Sequence, residues 1–370
     1  MNDSTCDACV VGGGPAGLAA AVALQRQGLQ VTVLERAAPP IDKACGEGLL
    51  PDSIRALKEL GITLPARAGF NFRGICFLDG RFSAAAAFPD QAAIAVRRTS
   101  LHNALIRAAE REGASLRWGV KNVQLSGGSV AVDGRVLKTR WVIGADGQNS
   151  QMRHLAGLHL CRVERRRYGF RRHYRIAPWS LYMELYWGVG YQIYVTPVAP
   201  DEVCVAVISH DPKVRVDDAL AGFPELQHRI CSARAVSREM GALSVTRELR
   251  RVYCGPLALI GDASGSVDAI TGEGMGLSFR QALALAEAVK DGRLRNYQAE
   301  HQRLSRRPRL MAALMLAMAR HHGFQRRVLK TFSRKPAVLE SLLAIHIGDR
   351  SFSDLWPRDV LAFGSAFLAG

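Results

Sequence analysis

The sequence contains no long hydrophobic run. A membrane-spanning helix needs roughly 18 to 20 apolar residues. The longest apolar candidate, residues 310–319 between Arg309 and Arg320, is about half that length. The N-terminus lacks the positive start and the extended apolar region of a signal peptide. These absences predict a cytoplasmic protein, with contact at a membrane surface as the alternative role of the 310–319 helix.

Cysteine is scarce and scattered. The eight cysteines form no paired CxxC motifs and no cysteine–histidine cluster. Structural zinc is therefore not expected, and no metal site is predicted. The lone CxxC, Cys6 to Cys9, enters a strand, and we interpret both thiols as small buried apolar side chains.

Acidic residues are too few to balance the basic ones. The chain has 49 Lys and Arg against 33 Asp and Glu, a net charge of +16. No helix-turn-helix, zinc-finger or RNA-recognition pattern accompanies this charge, so nucleic-acid binding is not expected. The basic run Arg165–Arg172 is predicted to be a solvated strand. The alternative is that it meets an anionic carrier protein, an acidic substrate or a membrane surface.

The composition is otherwise that of a globular protein. Hydrophobic residues make up 48% and charged residues 22%. A chain of 370 residues is too long for one ordinary core and suits two interlocked domains.

The first motif is a glycine-rich turn that follows a short strand and opens a helix. It reads Gly12-x-Gly14-x-x-Gly17. Glycines at this spacing allow a tight turn, close approach of a pyrophosphate, and close packing of helix on strand. The phosphates then lie on free N–H groups at the positive helix end. Glu35, 18 residues beyond Gly17, suits a ribose 2′-OH and would repel a 2′-phosphate. The unit predicts a dinucleotide site.

Two further motifs follow strand ends in the same order along the chain. One is Gly-Ala-Asp-Gly-x-x-Ser-x-x-Arg over residues 144–153. The other is Gly261-Asp262-Ala263, followed by Thr-Gly-Glu-Gly-Met-Gly over residues 271–276 at a helix start. Asp262 at a strand end can hold ribityl hydroxyls. The N–H groups that open the helix at Gly274 can stabilise negative charge on a reduced flavin.

Together the three motifs resemble those of the FAD-dependent oxidoreductases that include the aromatic hydroxylases (single-component flavin monooxygenases), the flavin halogenases and the geranylgeranyl reductases. The resemblance implies FAD as the cofactor and NAD(P)H as the reductant. No second nucleotide-binding glycine motif is present, so the nicotinamide would bind transiently. The cofactor-binding residues that it implies are Gly12, Gly14, Pro15, Ala16, Gly17, Glu35, Arg36, Cys45, Gly46, Arg98, Asp146, Gly261, Asp262, Gly272, Gly274 and Met275.

The resemblance also implies particular roles. Glu35 would accept hydrogen bonds from the adenosine ribose, and Arg98 would reach the ribityl–phosphate side of the flavin. Asp146 and Asp262 are similar to the acids of the family's second and third motifs.

The loop at residues 43–49, Lys-Ala-Cys-Gly-Glu-Gly-Leu, resembles the Cys-Gly loop of the geranylgeranyl reductases, which lies beside the flavin ring. Cys45 and Lys43 are therefore the candidate catalytic residues. Cys45 is either a small structural residue or a thiol that tunes the flavin or donates a proton. Lys43 either orients flavin or substrate or is solvated. Glu273 either steadies the flavin loop or caps the following helix.

The expected fold is α/β. It has a Rossmann-like FAD-binding domain of the glutathione-reductase type in three layers, an inserted, mostly antiparallel β-sheet substrate domain, and a helical C-terminus. The predicted boundaries are 1–65, 96–155 and 251–300 for the discontinuous FAD-binding domain, 66–95 and 156–250 for the substrate domain, and 301–370 for the helical C-terminal segment.

Three local predictions complete this fold. A helix over residues 100–112 is expected to be N-capped by Thr99 or Ser100. The helical C-terminal part is expected to break near residues 291–292, 307–308 and 335–336. The aromatic side chains between residues 179 and 194 are predicted to pack one face of the substrate sheet, with some of them lining an apolar pocket over the flavin as the alternative.

The predicted function is that of an FAD-dependent oxidoreductase, an NAD(P)H-dependent monooxygenase acting on a small hydrophobic organic substrate. A reductase of carbon–carbon double bonds is the alternative. Monooxygenation is preferred because the segment Tyr191–Pro197 departs from the Trp-x-Phe-Pro pattern of the reductases. A halogenase, whose Trp-x-Trp-x-Ile-Pro motif is absent, and a flavoprotein that acts on a protein partner remain as further alternatives.

Overall fold

The computed structural model describes residues 5–65, 68–89, 92–126, 128–351 and 354. The predicted domain boundary at 66, and residues 352–353 and 355–370 of the predicted C-terminal segment 301–370, lie outside these residues. The strands are β1 (Thr5–Val11), β2 (Val31–Glu35), β3 (Gly48–Leu49), β4 (Gly69–Phe72), β5 (Gly74–Leu78), β6 (Ser83–Ala87), β7 (Ala93–Val96), β8 (Ser115–Trp118), β9 (Val123–Ser126), β10 (Ser129–Val132), β11 (Arg135–Gly144), β12 (Cys161–Arg175), β13 (Tyr182–Trp187), β14 (Tyr191–Ala199), β15 (Glu202–Ser209), β16 (Arg234–Ala235), β17 (Met240–Leu249), β18 (Tyr253–Cys254) and β19 (Leu257–Leu259).

The helices are numbered in the same way. They are α1 (Pro15–Gln25), α2 (Pro51–Glu59), α3 (Arg98–Arg111), α4 (Gln151–Leu155), α5 (Val216–Ala221), α6 (Pro224–Cys231), α7 (Gly274–Lys290), α8 (Leu294–Arg320), α9 (His322–Arg334) and α10 (Pro336–His346), with short 3-10 turns at Gly261–Ser264 and Ala269–Thr271.

A largely parallel sheet carries the glycine motifs. Its order is β18-β19-β11-β1-β2-β8, and the antiparallel hairpin of β9 and β10 extends it on β11. Ala8 in β1 lies opposite Trp141 on one side and Val31 on the other. The central strands are runs of buried apolar residues because helices cover a parallel sheet. α1 packs on β1, β2, α3 and α7. The predicted Rossmann-like α/β fold is confirmed.

A second, mostly antiparallel sheet has the order β16-β12-β15-β14-β13-β5-β6, with β17 also paired to β12. β5 and β6 come from one of the two predicted substrate-domain segments, and β12 to β17 come from the other. A small third sheet, β3-β7-β4, contains the end of the Cys-Gly loop. The exact division of the chain into domains stays a prediction.

Helix α3 begins two residues earlier than the sequence predicts. It starts at Arg98, and neither Thr99 nor Ser100 is its N-cap. The Arg98 N–H instead donates to Oε1 of Glu47, 2.9 Å away. The predicted local cap was wrong because a carboxylate distant in sequence satisfies one of the free N–H groups at the helix start.

The C-terminal helices break at one place that the sequence did not predict. α8 runs through Pro308, where a break was predicted, and ends before His321, whose extended backbone separates α8 from α9. A proline removes one helical hydrogen bond and costs about 3 kcal/mol. In α8 this cost is offset by burial of Pro308 itself and of Met311 and Leu316 in the same helix. The predicted break at residues 335–336 is present.

The aromatic residues between 179 and 194 divide between the two faces of the substrate sheet. Tyr186 packs with Phe223 in a cluster under α5 and α6. Trp187 packs with Phe77 in a cluster that also contains side chains from α8, α9 and α10. Tyr194 is the member of the aromatic set that lines the cavity described below.

Candidate active site

The glycines of the first motif have two different roles. A Cβ at Gly12 would lie 2.3 Å from the Ala145 carbonyl oxygen, and one at Gly17 would lie 1.8 Å from the Gly12 carbonyl oxygen. Gly12 also has φ +115°. Both positions are therefore required by packing of the turn. At Gly14 an added Cβ meets no protein atom within 4 Å, so this residue leaves open surface at the N-terminus of α1.

The side chain of Glu35 is held in place by two backbone groups. Oε2 accepts from the Gly13 N–H and Oε1 from the Ala37 N–H, each at 2.7 Å. A carboxylate has about four lone-pair sites, so capacity remains for a ribose hydroxyl. His102 supports the same turn, because its Nε2 lies 2.8 Å from the Gly13 carbonyl oxygen. Arg36, next along the chain, lines the same cavity.

Asp146 of the second motif supports the start of helix α4, whose N-cap is Ser150. Its Oδ1 accepts from the Ser150 hydroxyl and its Oδ2 from the Met152 N–H, at 2.5 and 3.0 Å. Arg153 donates from Nη1 to the Ala263 carbonyl oxygen, 3.1 Å away, and this bond joins the second motif to the third. The predicted cofactor role of Asp146 stays a prediction.

The third motif lies across the cleft from the Cys-Gly loop. Lys43 Nζ is 3.4 Å from Oδ2 of Asp262, and both side chains are partly exposed. Helix α7 starts at Gly274, where an added Cβ also meets no protein atom within 4 Å. Arg98 reaches the same place, with Nη1 3.5 Å from the Met275 sulfur.

Glu273 does not cap helix α7. It occupies the N-cap position without a side-chain capping bond. Its carboxylate is buried, with Oε2 3.5 Å from His346 Nδ1 of α10 and Oε1 4.0 Å from Arg307 of α8. Burial raises the pKa of Glu273. Neither carboxylate oxygen has a hydrogen-bond partner among the described residues, so the role of Glu273 in steadying the flavin loop stays a prediction.

The basic strand is solvated only in part, because Arg165 and Arg166 are exposed as predicted but Arg167 and Arg171 are not. Arg167 and Arg171 of β12 are each 1% exposed. Arg167 pairs with Asp268 at 3.1 Å, and Arg171 pairs with Asp42 in the Cys-Gly loop at 2.6 Å. The prediction failed because alternate residues of a strand face opposite sides, and these two face inward beside partners that are distant in sequence.

Cys45 lies in the cavity wall at the inner end of its loop. The Glu47 N–H donates to its sulfur at 3.3 Å. Burial raises the pKa of the Cys45 thiol, so the sulfur is protonated near neutral pH. A neutral thiol can donate a proton but is a poor nucleophile.

Glu47 and His173 form a buried pair that the sequence analysis missed. Glu47 Oε2 and His173 Nε2 are 2.7 Å apart, and both residues are essentially unexposed. Together with Cys204 they offer ligand atoms within 4.8 Å of one another. Each of the three side chains already has a hydrogen-bond partner inside the protein. We therefore assign these side chains to hydrogen bonding. The two members of the pair are 126 positions apart, and no local pattern signals it.

A continuous cavity of about 700 Å³ joins these features. All of the predicted cofactor-binding residues line it except Gly17, and Lys43 lines it as well. Its other end has an apolar floor from the substrate sheet, and of the aromatic side chains considered for such a pocket Tyr194 contributes to it. The floor consists of Met183, Tyr194, Ala206 and Ile208. The volume lies within the range of about 300–1,000 Å³ usual for cofactor and ligand sites.

The residues present fit FAD. The open positions at Gly14 and Gly274 lie at two helix N-termini, where backbone N–H groups bind phosphate or stabilise negative charge. Arg98 lines the cavity, and its buried Nε has no hydrogen-bond partner among the described residues. A buried donor of this kind calls for an acceptor, which a ligand oxygen would supply.

The fold and site define the class of flavin-binding Rossmann-type proteins, and the comparison with known families agrees. The chain belongs to the FAD binding domain family, whose sequence profile matches residues 5–306. The resemblance to the FAD-dependent oxidoreductase superfamily is thereby confirmed.

Three known proteins illustrate the relationship. Menaquinone reductase from Mycobacterium tuberculosis is 33% identical over 162 residues, which span 40% of this chain and 40% of that protein. The 6-methylpretetramide 4-monooxygenase from Streptomyces rimosus is 27% identical over 408 aligned positions, which cover 95% of each chain. The solved structure of a flavoprotein/dehydrogenase from Cytophaga hutchinsonii has a TM-score of 0.79 at 19% identity and covers 93% of both chains, which supports the fold.

Among the described residues, no helix is both long and apolar enough to cross a membrane. This includes α8, which contains the apolar segment 310–319. Met311, Ala312 and Leu316 of that segment pack in the core, whereas Leu310 and Leu314 are exposed.

Proposed function

We propose that this chain is an NAD(P)H-dependent flavin monooxygenase that acts on a small hydrophobic organic substrate. The observation that carries the proposal is the cavity in which the cofactor-binding residues meet an apolar floor. The match to 6-methylpretetramide 4-monooxygenase over 95% of both chains supports the same function.

Each part of the cofactor would be held by a different element of the chain. Gly14 and the N-terminus of α1 would receive the pyrophosphate, and Glu35 the adenosine ribose. Asp262 would accept from the ribityl hydroxyls, with Lys43 beside it. The N-terminus of α7 at Gly274 would face the edge of the flavin ring that becomes negative on reduction.

The chemistry that the bound cofactor supplies is transfer of two electrons from NAD(P)H to dioxygen, with one oxygen atom entering the substrate and one leaving as water. The protein orients the substrate and excludes water from the reacting atoms. Tyr194, Ala206 and Ile208 provide the apolar surface for both tasks. Arg171 at the cavity wall is neutralised by Asp42, so the floor carries no unpaired buried charge from this residue.

Reduction of a carbon–carbon double bond is the second candidate. It is favoured by Cys45, whose protonated thiol lines the cavity where a reductase needs a proton donor. The local match to menaquinone reductase supports it, although that match spans only 40% of this chain.

One set of incubations separates the two reactions. The purified FAD-containing protein is given NADPH, isotopically labelled dioxygen and 6-methylpretetramide. One labelled oxygen atom in the product supports the monooxygenase, and its absence together with anaerobic saturation of a side-chain carbon–carbon double bond of menaquinone supports the reductase. Cys45→Ser serves as the matched variant, because it should abolish double-bond reduction and leave hydroxylation intact. A protein that turns over neither compound but binds a protein partner tightly would favour the flavoprotein that acts on proteins.

A partner for the basic surface is also part of the proposal. Because Arg167 and Arg171 are buried, the exposed arginines between residues 162 and 172 are Arg162, Arg165 and Arg166. We propose that these side chains, with the exposed Leu310 and Leu314 of α8, form the face toward an anionic carrier protein or a membrane surface in the cytoplasm. Co-sedimentation with anionic and with neutral lipid vesicles tests whether this face binds a membrane surface.

A further inference from the structure

Cofactor binding does not explain the backbone conformation of Glu47 or the hydrogen bonds of its side chain. Its φ is +61°, a left-handed conformation that non-glycine residues rarely adopt. Its carboxylate is nonetheless fully engaged inside the protein. Oε1 accepts from the Arg98 N–H at 2.9 Å, and Oε2 lies 2.7 Å from His173 Nε2. A strained residue with a buried carboxylate beside a cofactor cleft is a candidate for function.

His173 makes further hydrogen-bond contacts on the side that faces away from the cavity. Its other nitrogen, Nδ1, is 2.9 Å from the Ser237 hydroxyl oxygen and 3.0 Å from Nη1 of Arg171. A guanidinium can only donate, so Nδ1 is the acceptor and Nε2 carries the hydrogen that Glu47 accepts. The geometry thus assigns both the tautomer and the direction of the hydrogen bonds.

The line of side chains connects two different environments. At the outer end, half-buried Ser237 lies in a surface depression that Arg175, Arg234 and Arg238 also line. These arginines attract anionic buffer species, which carry protons. At the inner end, Glu47 lines the large cavity next to Cys45.

Both candidate reactions consume one proton per turnover. Hydroxylation with NAD(P)H and dioxygen needs a proton to form water, and double-bond reduction adds a hydride and a proton. We propose that Ser237, His173 and Glu47 form a proton relay that supplies this proton from the surface to the cavity. The proposal rests on the proposed oxidoreductase function but not on the choice between the two reactions.

The steps of the relay balance without any electron transfer. The Ser237 hydroxyl passes its proton to Nδ1 of His173, and Nε2 passes its own proton to Oε2 of Glu47. Ser237 regains a proton from solvent, and Glu47 releases its proton to the acceptor in the cavity. His173 is then left with its hydrogen on Nδ1, and rotation of the imidazole ring followed by exchange with Ser237 restores the Nε2–H form before the next proton passes. The charged and titratable groups that face this line are Arg97, Arg98, Arg171, Asp42, Glu202, Cys45 and Cys204.

The relay can be tested without an organic substrate. Holoenzyme is reduced anaerobically with dithionite, desalted, and mixed with oxygenated, weakly buffered solution that contains phenol red. Reoxidation forms hydrogen peroxide and takes up a proton, which the dye reports. Ser237→Ala and His173→Gln should slow proton uptake about a hundredfold, the scale of a positioned proton-transfer group. Ser237→Thr, which keeps the hydroxyl, is the matched control and should retain the wild-type rate.

Two further measurements separate a relay from a merely structural role. Added imidazole should restore proton uptake in His173→Gly. Nitrogen NMR of histidine-labelled protein without FAD should show the His173 hydrogen on Nε2. Unchanged uptake in Ser237→Ala, equal slowing in Ser237→Thr, absence of imidazole rescue or a hydrogen on Nδ1 would overturn the relay. Failure of the wild-type protein to hold FAD or to reoxidise would instead count against the proposed function.

Discussion

Replacing Gly14 by alanine should remove FAD and leave the fold intact. An added Cβ meets no protein atom within 4 Å, and φ −73° is open to alanine. In the apoprotein two small effects oppose each other. Alanine lowers the entropy of the unfolded chain, which stabilises by about 0.4–1 kcal/mol, but it is a poorer N-cap than glycine. The free energy of unfolding should therefore change by less than about 1 kcal/mol.

The same methyl group would enter the cavity at the N-terminus of α1. A pyrophosphate there could no longer approach the backbone N–H groups closely. Each hydrogen bond to a charged group contributes about 1.5–3 kcal/mol. Loss of one or two of them should raise the Kd for FAD on the order of a hundredfold, because about 1.4 kcal/mol corresponds to a factor of ten.

The assay is a titration of deflavinated protein with FAD, followed by quenching of flavin fluorescence, together with thermal unfolding of the apoprotein. Gly323→Ala, an open position in α9, is the matched control, which should leave the Kd for FAD unchanged and stabilise the apoprotein by no more than about 1 kcal/mol. Gly17→Ala should lose the fold, because its Cβ would lie 1.8 Å from the Gly12 carbonyl oxygen. A Gly14→Ala protein that binds FAD with the wild-type Kd would refute the assignment of the pyrophosphate site.

Three other predictions follow from buried groups. Arg167→Met leaves its aspartate partner buried without a counter-charge, and should lower the free energy of unfolding by about 3–5 kcal/mol in urea titrations. Arg175→Met on the same strand removes an exposed ion pair and should leave the urea midpoint unchanged, and equal effects of the two would contradict the burial argument. Burial lowers the pKa of His301 to about 4, so the unfolded chain binds its proton first and stability falls as the pH drops from about 6.5 to 4. Over that window the free energy of unfolding of the wild type should fall by on the order of 3 kcal/mol more than that of His301→Gln. Parallel pH profiles of the two proteins would refute the lowered pKa of His301. Burial also raises the pKa of Cys45, so iodoacetamide at pH 8 should modify Cys45 far more slowly than the exposed Cys231. Mass spectrometry measures the two rates, and comparable rates would refute the protonated state of Cys45.

The cofactor site was the most predictable part of the molecule. Gly12, Gly17 and the helix that starts at Pro15 obey local backbone rules, so spacing alone indicates the turn and its direction. The predicted breaks at residues 291–292 and 335–336 are confirmed, whereas the predicted cap of α3 and the predicted break at Pro308 were wrong. The start of α3 depends on Glu47, and the continuity of α8 through Pro308 depends on the core against which it packs.

The sequence by itself determined the class of the fold and the cofactor, because glycine spacing and strand–helix order are short-range properties that residues carry wherever they fold. Only the tertiary structure decided what surrounds the flavin. It buried Arg167 and Arg171, assembled the apolar floor from several strands, and joined Glu47 to His173 across 126 positions. Such contacts depend on which faces of distant elements meet, and strand periodicity specifies which side a residue faces but not which partner lies there.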